Sequence, residues 1–378
     1  MRTNRGLWLA AFVGLAALAC SEAPLEPGTE LGLKASVAGL EGPGAVYLMT
    51  NATGGNSVIV FDRSADGQLT SAGTYATGGT GTGGGLGNQG SVILTKDHRR
   101  LYAVNAGSND ISAFRVTRTG LQLLGSPVSS GGVQPVSLSV HGDLLYVLNA
   151  GPPGGIAGFR IGTGGALTAI PGSTQPLSGA GVGPAQIGFT PDGRVLVVTE
   201  KATNTITTYT VGGDGLASGP NPQASAGNTP FGFNFNQRGD LVVSEAQGGP
   251  PNLSTASSYR LDRAGNLELI SGQVATTQLA ACWIAISQNG KFAYTTNTGS
   301  GTISSLAIGP GATLTLLEAV AGTGIAPLDA AFTPGGRFLY VRNGGGTVGA
   351  FLAEAKGGLT HIGDFGTLPG GANGMAAR

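Results

Sequence analysis

The chain has 378 residues, of which 69 are glycine and 20 proline, while charged residues make up only 11%; usual values are ~7% for glycine and ~25% for charge. That much glycine and proline excludes coiled coils and long helices, and an apolar fraction of 40% with so little charge excludes whole-chain disorder. Twenty basic and twenty acidic residues cancel, which leaves no electrostatic footprint for nucleic acid and points to a turn-rich, all-β protein.

At the start, Arg2 and Arg5 precede an uncharged apolar run from Gly6 to Ala19. The run is shorter than the ~20 residues a spanning helix needs and has the length of a secretory signal core. It ends Ala17-Leu18-Ala19-Cys20. Small residues at 17 and 19 suit ordinary signal cleavage. The cysteine directly after them resembles a bacterial lipoprotein signal, in which Cys20 becomes the lipidated N-terminus. Residues 1–19 therefore read as a signal peptide. The protein is expected in the cell envelope, held to a membrane through Cys20 if lipidated and secreted otherwise. Residues 20–44, rich in Pro, Gly and Glu without a strand period, read as a flexible tether.

From residue 45 onward one unit repeats. A short apolar strand ending in Asn or Glu occurs at Val46–Asn51, Leu101–Asn105, Leu145–Asn149, Leu196–Glu200, Leu241–Glu245, Ala293–Asn297 and Leu339–Asn343. The terminal residues are 54, 44, 51, 45, 52 and 46 positions apart. Upstream of most copies lies a strand opening near proline, as at Pro135, Pro184, Pro230 and Pro327. Tight turns such as Pro191-Asp192-Gly193-Arg194 link it to the anchor strand. Downstream come an alternating strand, such as Asn204–Tyr209, and a fourth strand after a glycine turn. Four antiparallel strands in each of seven units predict a seven-bladed β-propeller over 45–378. The first copy lacks an opening strand and the segment Gly371–Ala377 is an opening strand without a blade. The C-terminal strand is thus expected to close the ring by joining the N-terminal blade.

Segments such as Leu101-Tyr102-Ala103-Val104-Asn105-Ala106-Gly107 and Phe189-Thr190-Pro191-Asp192-Gly193-Arg194 resemble the lactonase family of seven-bladed propellers. That family includes propeller-type 6-phosphogluconolactonases and carboxymuconate lactonizing enzymes. The units are also similar to surface propellers built from YVTN repeats. The resemblance implies a site at the channel mouth, where innermost strands begin and second strands end. Its enzymes carry Pro-Arg or Pro-Arg-His at a blade opening and a Glu at the end of a second strand. Here the openings read Pro184-Ala185-Gln186 and Pro230-Phe231-Gly232, so the arginine and histidine are missing. The glutamate occurs twice, as Glu200 and Glu245.

Opening a lactone needs a base to activate water and donors for the oxyanion. Glu245 and Glu200 are the candidate catalytic residues. Gln186, Phe231, Trp283, Asp329 and Asn373, all at blade openings, are candidate ligand-binding residues. His98, His141 and His361 fall in turns or an outer strand and are expected to stay away from the mouth. Cys282 has no neighbouring histidine in sequence to activate it. The glycine-rich Thr77–Gly90 lacks the Gly-Lys-Ser/Thr ending of a phosphate loop and reads as a long connection. No metal-ligand spacing is present and no cofactor is expected. The missing arginine and histidine favour a propeller that binds a small molecule, glycan or protein with a degenerate active site. The alternatives are a lactone hydrolase using a channel-face Glu, and a structural or adhesin-like surface repeat.

Overall fold

The computed structural model describes residues 41–249 and 251–378. The signal peptide, the lipidation at Cys20 and most of the tether lie outside the described residues. Seven antiparallel sheets follow one another along the chain. The first blade holds Gly44–Met49, Ser57–Arg63 and Leu69–Ala76, and its innermost strand is the C-terminal Asn373–Ala377. The other six open at Val92, Pro135, Pro184, Pro230, Ala281 and Pro327, each ordered inside to outside as in sequence. In the second and third blades the outer strand is split into two short pieces. Among the described residues no helix is long and apolar enough to cross a membrane.

Closure is by register. Val46 pairs with Ala377, Tyr47 with Ala376 and Met49 with Asn373, and Ala45 and Arg378 exchange backbone hydrogen bonds at 2.9 Å. Just before the first strand, Glu41 is docked on the seventh blade. It accepts from Thr333 Oγ1 at 2.9 Å and Gly335 N at 3.2 Å, and stands 3.6 Å from Arg63.

Burial explains the sequence pattern. Second strands such as Leu144–Asn149 and Phe338–Asn343 are buried at every position, because a neighbouring blade covers each face, and they read as continuous apolar runs. Outer strands such as Leu267–Ala275 are half in solvent. The buried apolar side chains form clusters shared between adjacent blades. Blade contacts are also fastened by tyrosines. Tyr102, Tyr146 and Tyr340, each in a second strand, donate to the turn carbonyls of Gly165, Gly215 and Gly67 in the next blade, at 3.0, 2.7 and 2.7 Å.

The turns between first and second strands repeat one device. Thr190 Oγ1 donates to Asp192 at 2.7 Å while Asp192 accepts from Arg194 N at 3.2 Å, and Gly193 follows with φ +72°. Thr95 and Asp97 do the same at 2.6 Å. There His98 holds the left-handed position, φ +57°, that glycine takes in the fourth blade.

Candidate functional site

The connection Thr77–Gly90 does more than join two blades. Asn51 anchors its start, its side chain accepting from Thr82 N at 3.0 Å and donating to Gly84 O at 2.6 Å. Gly81 has to be glycine, since a Cβ there would lie 2.1 Å from the Asn51 backbone. The chain then turns inward across the channel mouth. Gly87 O accepts from Lys201 Nζ at 2.5 Å, and Asn88 O accepts from Trp283 Nε1 at 2.6 Å. Gln89 N donates to Ala185 O at 3.2 Å, and Gln89 O accepts from Ser137 Oγ at 2.6 Å. The Gln89 side chain brackets Ile284, donating to its carbonyl at 2.9 Å and accepting from its N–H at 3.3 Å. Gly90 N donates to Asp329 Oδ2 at 3.3 Å. Residues 87–90 therefore bond to the third, fourth, sixth and seventh blades at once. Gly232 of the fifth blade leaves the space that Gln89 fills, for a Cβ there would meet Gln89 Oε1 at 2.3 Å.

Phe231 and Trp283 pack beside this plug with ring centroids 4.9 Å apart, both buried. Lys201 Nζ lies 4.5 Å from the Phe231 ring centroid, and burial lowers its pKa to about 8. Asn373 is buried in the closing strand, its amide donating to Gly371 O at 3.3 Å.

Beneath the plug lies a cavity of about 430 Å³ along the axis. Gln89, Gly90 and Asp329 form its closed end. Leu94, Val140 and Phe235, at the far ends of innermost strands, are half-buried, and Asn234 beside Phe235 is exposed. The cavity thus opens on the face away from the plugged mouth. Among the described residues, Asp329 is the one carboxylate in the wall. Burial pushes its carboxyl up to about 7, against the opposing pull of N–H bonds from Gly90 and Ala330 and the charge of Arg342. Gln186 also lines the cavity, but both ends of its amide are bound to the Phe233 backbone, at 2.9 and 2.8 Å. Ser139 Oγ accepts from Phe189 N at 2.9 Å and keeps its proton to donate. Asn234 holds the Phe235 N–H on its carbonyl at 2.8 Å, and its NH₂ points at no described partner. A base and two donors therefore face one space.

A family model described as Lactonase, 7-bladed beta-propeller, matches residues 163–279 and 252–365. The chain belongs to the seven-bladed lactonase propellers. A 6-phosphogluconolactonase of Serratia proteamaculans is 27% identical over 273 residues, covering 69% of this chain and 78% of the relative. The crystal structure of a protein from Lactobacillus plantarum superposes with a TM-score of 0.73 at 20% identity, over 89% of this chain and 99% of the other. A periplasmic gluconolactonase of Pseudomonas aeruginosa does so with a TM-score of 0.69 at 18% identity, over 89% and 99%. At these identities the two structures show the fold alone.

In this lactonase propeller the two glutamates are equivalent to each other and turned away from the cavity. Glu200 accepts from Ser178 N at 3.1 Å, from Thr207 Oγ1 at 2.9 Å and from the Ser178 hydroxyl. Glu245 accepts from Gly227 N at 2.9 Å, from Ser225 Oγ at 3.3 Å and from the Thr255 hydroxyl. Each carboxylate is buried and holds the loop that leads from the preceding blade into its own. Burial raises the Glu245 pKa while those donors oppose it. Asn149 holds the loop into its own blade in the same way, while Asn51 holds the loop that leaves its blade.

Of the candidate residues, the structure brings Gln186 and Asp329 to the cavity wall, puts Phe231 and Trp283 beside the plug, and leaves Glu200, Glu245 and Asn373 elsewhere. None of the three histidines lines the cavity. His141 packs on Phe189 and His361 faces Asp364 at 3.3 Å. Cys282 is buried. Ser139 and Asn234 were not singled out in the sequence. Their signal is a polar residue in the second half of an innermost strand, which only a known strand register reveals. Among the described residues no cluster of His, Cys, Asp and Glu could hold a metal ion.

Proposed function

We propose that this propeller is a lactone hydrolase whose general base is Asp329. The carrying observation is a single buried carboxylate, with its pKa raised to about 7, in the wall of a 430 Å³ axial cavity. Membership of the lactonase family and the curated relative's activity support the reaction class. Water attacks the ring carbonyl and its proton passes to Asp329. The oxyanion of the tetrahedral intermediate is met by the Ser139 hydroxyl or the Asn234 amide. On collapse the ring C–O bond breaks, and Asp329 returns the proton to the leaving alkoxide, which yields the open hydroxy acid.

The test is pH-stat turnover of sugar-acid and aromatic lactones by the full chain, beside Asp329→Asn and Glu245→Gln. Hydrolysis well above the buffer rate, abolished in Asp329→Asn and kept in Glu245→Gln, is the expected result. Turnover lost with Glu245→Gln and kept with Asp329→Asn would return the reaction to the second-strand glutamate.

A second reading, a non-catalytic binding propeller, is favoured by one observation: the mouth where the family resemblance puts the site is filled by residues 87–90, Phe231 and Trp283. Ligand binding without turnover of any lactone would establish it. Export to the cell envelope is part of the proposal and rests on residues 1–20 alone. Loss of membrane association in Cys20→Ser would support lipidation.

A further inference from the structure

We propose that the propeller docks by one edge on an anionic lipid surface, through Lys96, Arg99, Arg115 and Arg118 of the second blade. The presence of a membrane rests on the export reading of residues 1–20; the affinity of this edge for lipid phosphate does not. Two independent observations carry it.

The first is unbalanced charge. Second strands end at the mouth, so the turns before them, and those between third and fourth strands, lie on the opposite face. On that side Arg160, Arg194, Arg238 and Arg260 are paired with Asp143, Asp192, Asp240 and Glu268, at 2.9, 3.6, 3.3 and 3.3 Å. Lys96, Arg99, Arg115 and Arg118 are exposed, and among the described residues none of these side chains has an ion pair or hydrogen bond. The exposed carboxylates of the first two blades are Asp62 and Asp97, two against these four cations. Asp97 is occupied in its own turn, accepting from Thr95 Oγ1 at 2.6 Å and Arg99 N at 3.0 Å. The balance of charge over the whole chain thus conceals a local excess. A cavity of about 570 Å³ opens among these turns, lined by His98, Arg99, Arg118 and Arg378. Arg378 is held there by donating to the Tyr47 hydroxyl at 2.6 Å. Guanidinium groups take phosphate oxygens in bidentate pairs, and the cavity leaves room for a phosphodiester headgroup.

The second is where the chain enters the fold. Pro43 and Gly44 line the same cavity, so the segment leading into the first strand emerges at the cations. Cys20 stands 21 positions before Glu41. A lipid on Cys20 therefore lies within about 75 Å of the entry point even along a fully extended chain. Such a tether holds the cations at an effective concentration on the order of millimolar. Each cation beside an anionic bilayer contributes about fivefold in affinity, so an excess of two gives about twenty-fivefold. A contact too weak to hold a free protein becomes occupied once the chain is anchored.

The experiment is co-sedimentation of the full chain carrying Cys20→Ser with two kinds of vesicle, pure phosphatidylcholine and phosphatidylcholine containing about one-third phosphatidylglycerol. No lipid anchor contributes in either, and the neutral vesicles account for the apolar run at residues 6–19. At about 50 mM salt the anionic vesicles are expected to bind at least about tenfold more strongly, and at about 0.5 M salt the preference is expected to vanish. The triple substitution Lys96→Glu, Arg99→Glu and Arg118→Glu is expected to bind both vesicles alike. The triple substitution Arg263→Glu, Lys291→Glu and Lys356→Glu changes net charge equally through exposed cations of the fifth, sixth and seventh blades. It is expected to lose less than about threefold. All six positions are exposed, so both variants should keep the Tm of the parent. Equal binding to the two vesicles, a preference that survives high salt, or equal losses in the two triple variants overturns the proposal. Lipidation is absent from every arm, so failure of the Cys20 reading leaves these outcomes unchanged.

Discussion

Trp283 Nε1 donates to the carbonyl of Asn88 at 2.6 Å, across 195 positions of sequence. The bond joins the sixth blade to a segment that elsewhere in the ring would be a plain inter-blade loop. Together with the Gln89 bracket on Ile284, it makes residues 87–90 part of the folded core of the mouth. Gln89→Ala leaves the N–H and C=O of Ile284 buried and unpaired. It should lower stability by about 2–3 kcal/mol in urea unfolding, and a change below about 0.5 kcal/mol would mean that the plug is held by other contacts.

The tyrosine clasps give a second expectation. Tyr146→Phe keeps the ring but strips the buried Gly215 carbonyl of its donor. A loss of about 1–2 kcal/mol is expected. Half-buried Tyr75 donates to Thr119 O through a solvent-exposed bond, so Tyr75→Phe should cost less than half as much. Equal effects from the two would argue against a burial-dependent clasp.

Ring closure can be tested by truncation. Removing residues 369–378 takes away the innermost strand of the first blade and uncovers Val46, Tyr47 and Met49. A destabilisation of about 4 kcal/mol or more, seen as a large fall in Tm, is the expected outcome. A truncated chain that melts like the full one would show that closure contributes nothing.

The second-strand glutamates should behave as structural groups. Glu245→Ala leaves the Gly227 N–H, Ser225 and Thr255 without their acceptor. It should cost about 2–4 kcal/mol. Glu245→Gln should lose less and should leave lactone turnover, read by kcat, unchanged.

Asp329 predicts a pH dependence with a defined sign. Its folded pKa, about 7, exceeds the unfolded value of about 4, so the folded state binds the extra proton between those limits. Its contribution is therefore fully present below pH ~4 and is lost as pH rises through ~7. Relative to Asp329→Asn, the unmodified chain should lose up to about 4 kcal/mol over that range. Parallel stability curves for the two proteins would place the Asp329 pKa near its ordinary value. If Asp329 is the base, kcat/KM should rise with pH below about 7 and level off above it.

The propeller was legible in the sequence because its repeat is local. Each anchor strand, such as Leu145–Asn149, is covered by a neighbour on both faces, so its burial is written as an apolar run that recurs at nearly constant spacing. The orphan segment Gly371–Ala377 announced closure for the same reason, since a blade lacking its inner strand and a strand lacking a blade can be matched by counting. Asn51 and its counterparts could be read as marking the end of each second strand. Glu200 and Glu245 occupy that same position, and only the bonds to Ser178 and Gly227 show that both carboxylates are spent on loops.

The plug and the cavity belong to the tertiary structure. Nothing in the run Thr77–Gly90 marks it as more than a connection, for its partners Ala185, Ile284 and Asp329 come from three other blades. The same holds for Asp329, whose raised pKa comes from burial that the closed ring creates. Sequence determined the blades because strand pattern and turn chemistry act between near neighbours. The channel is a meeting of residues far apart in the chain, and its chemistry exists only once the ring has closed.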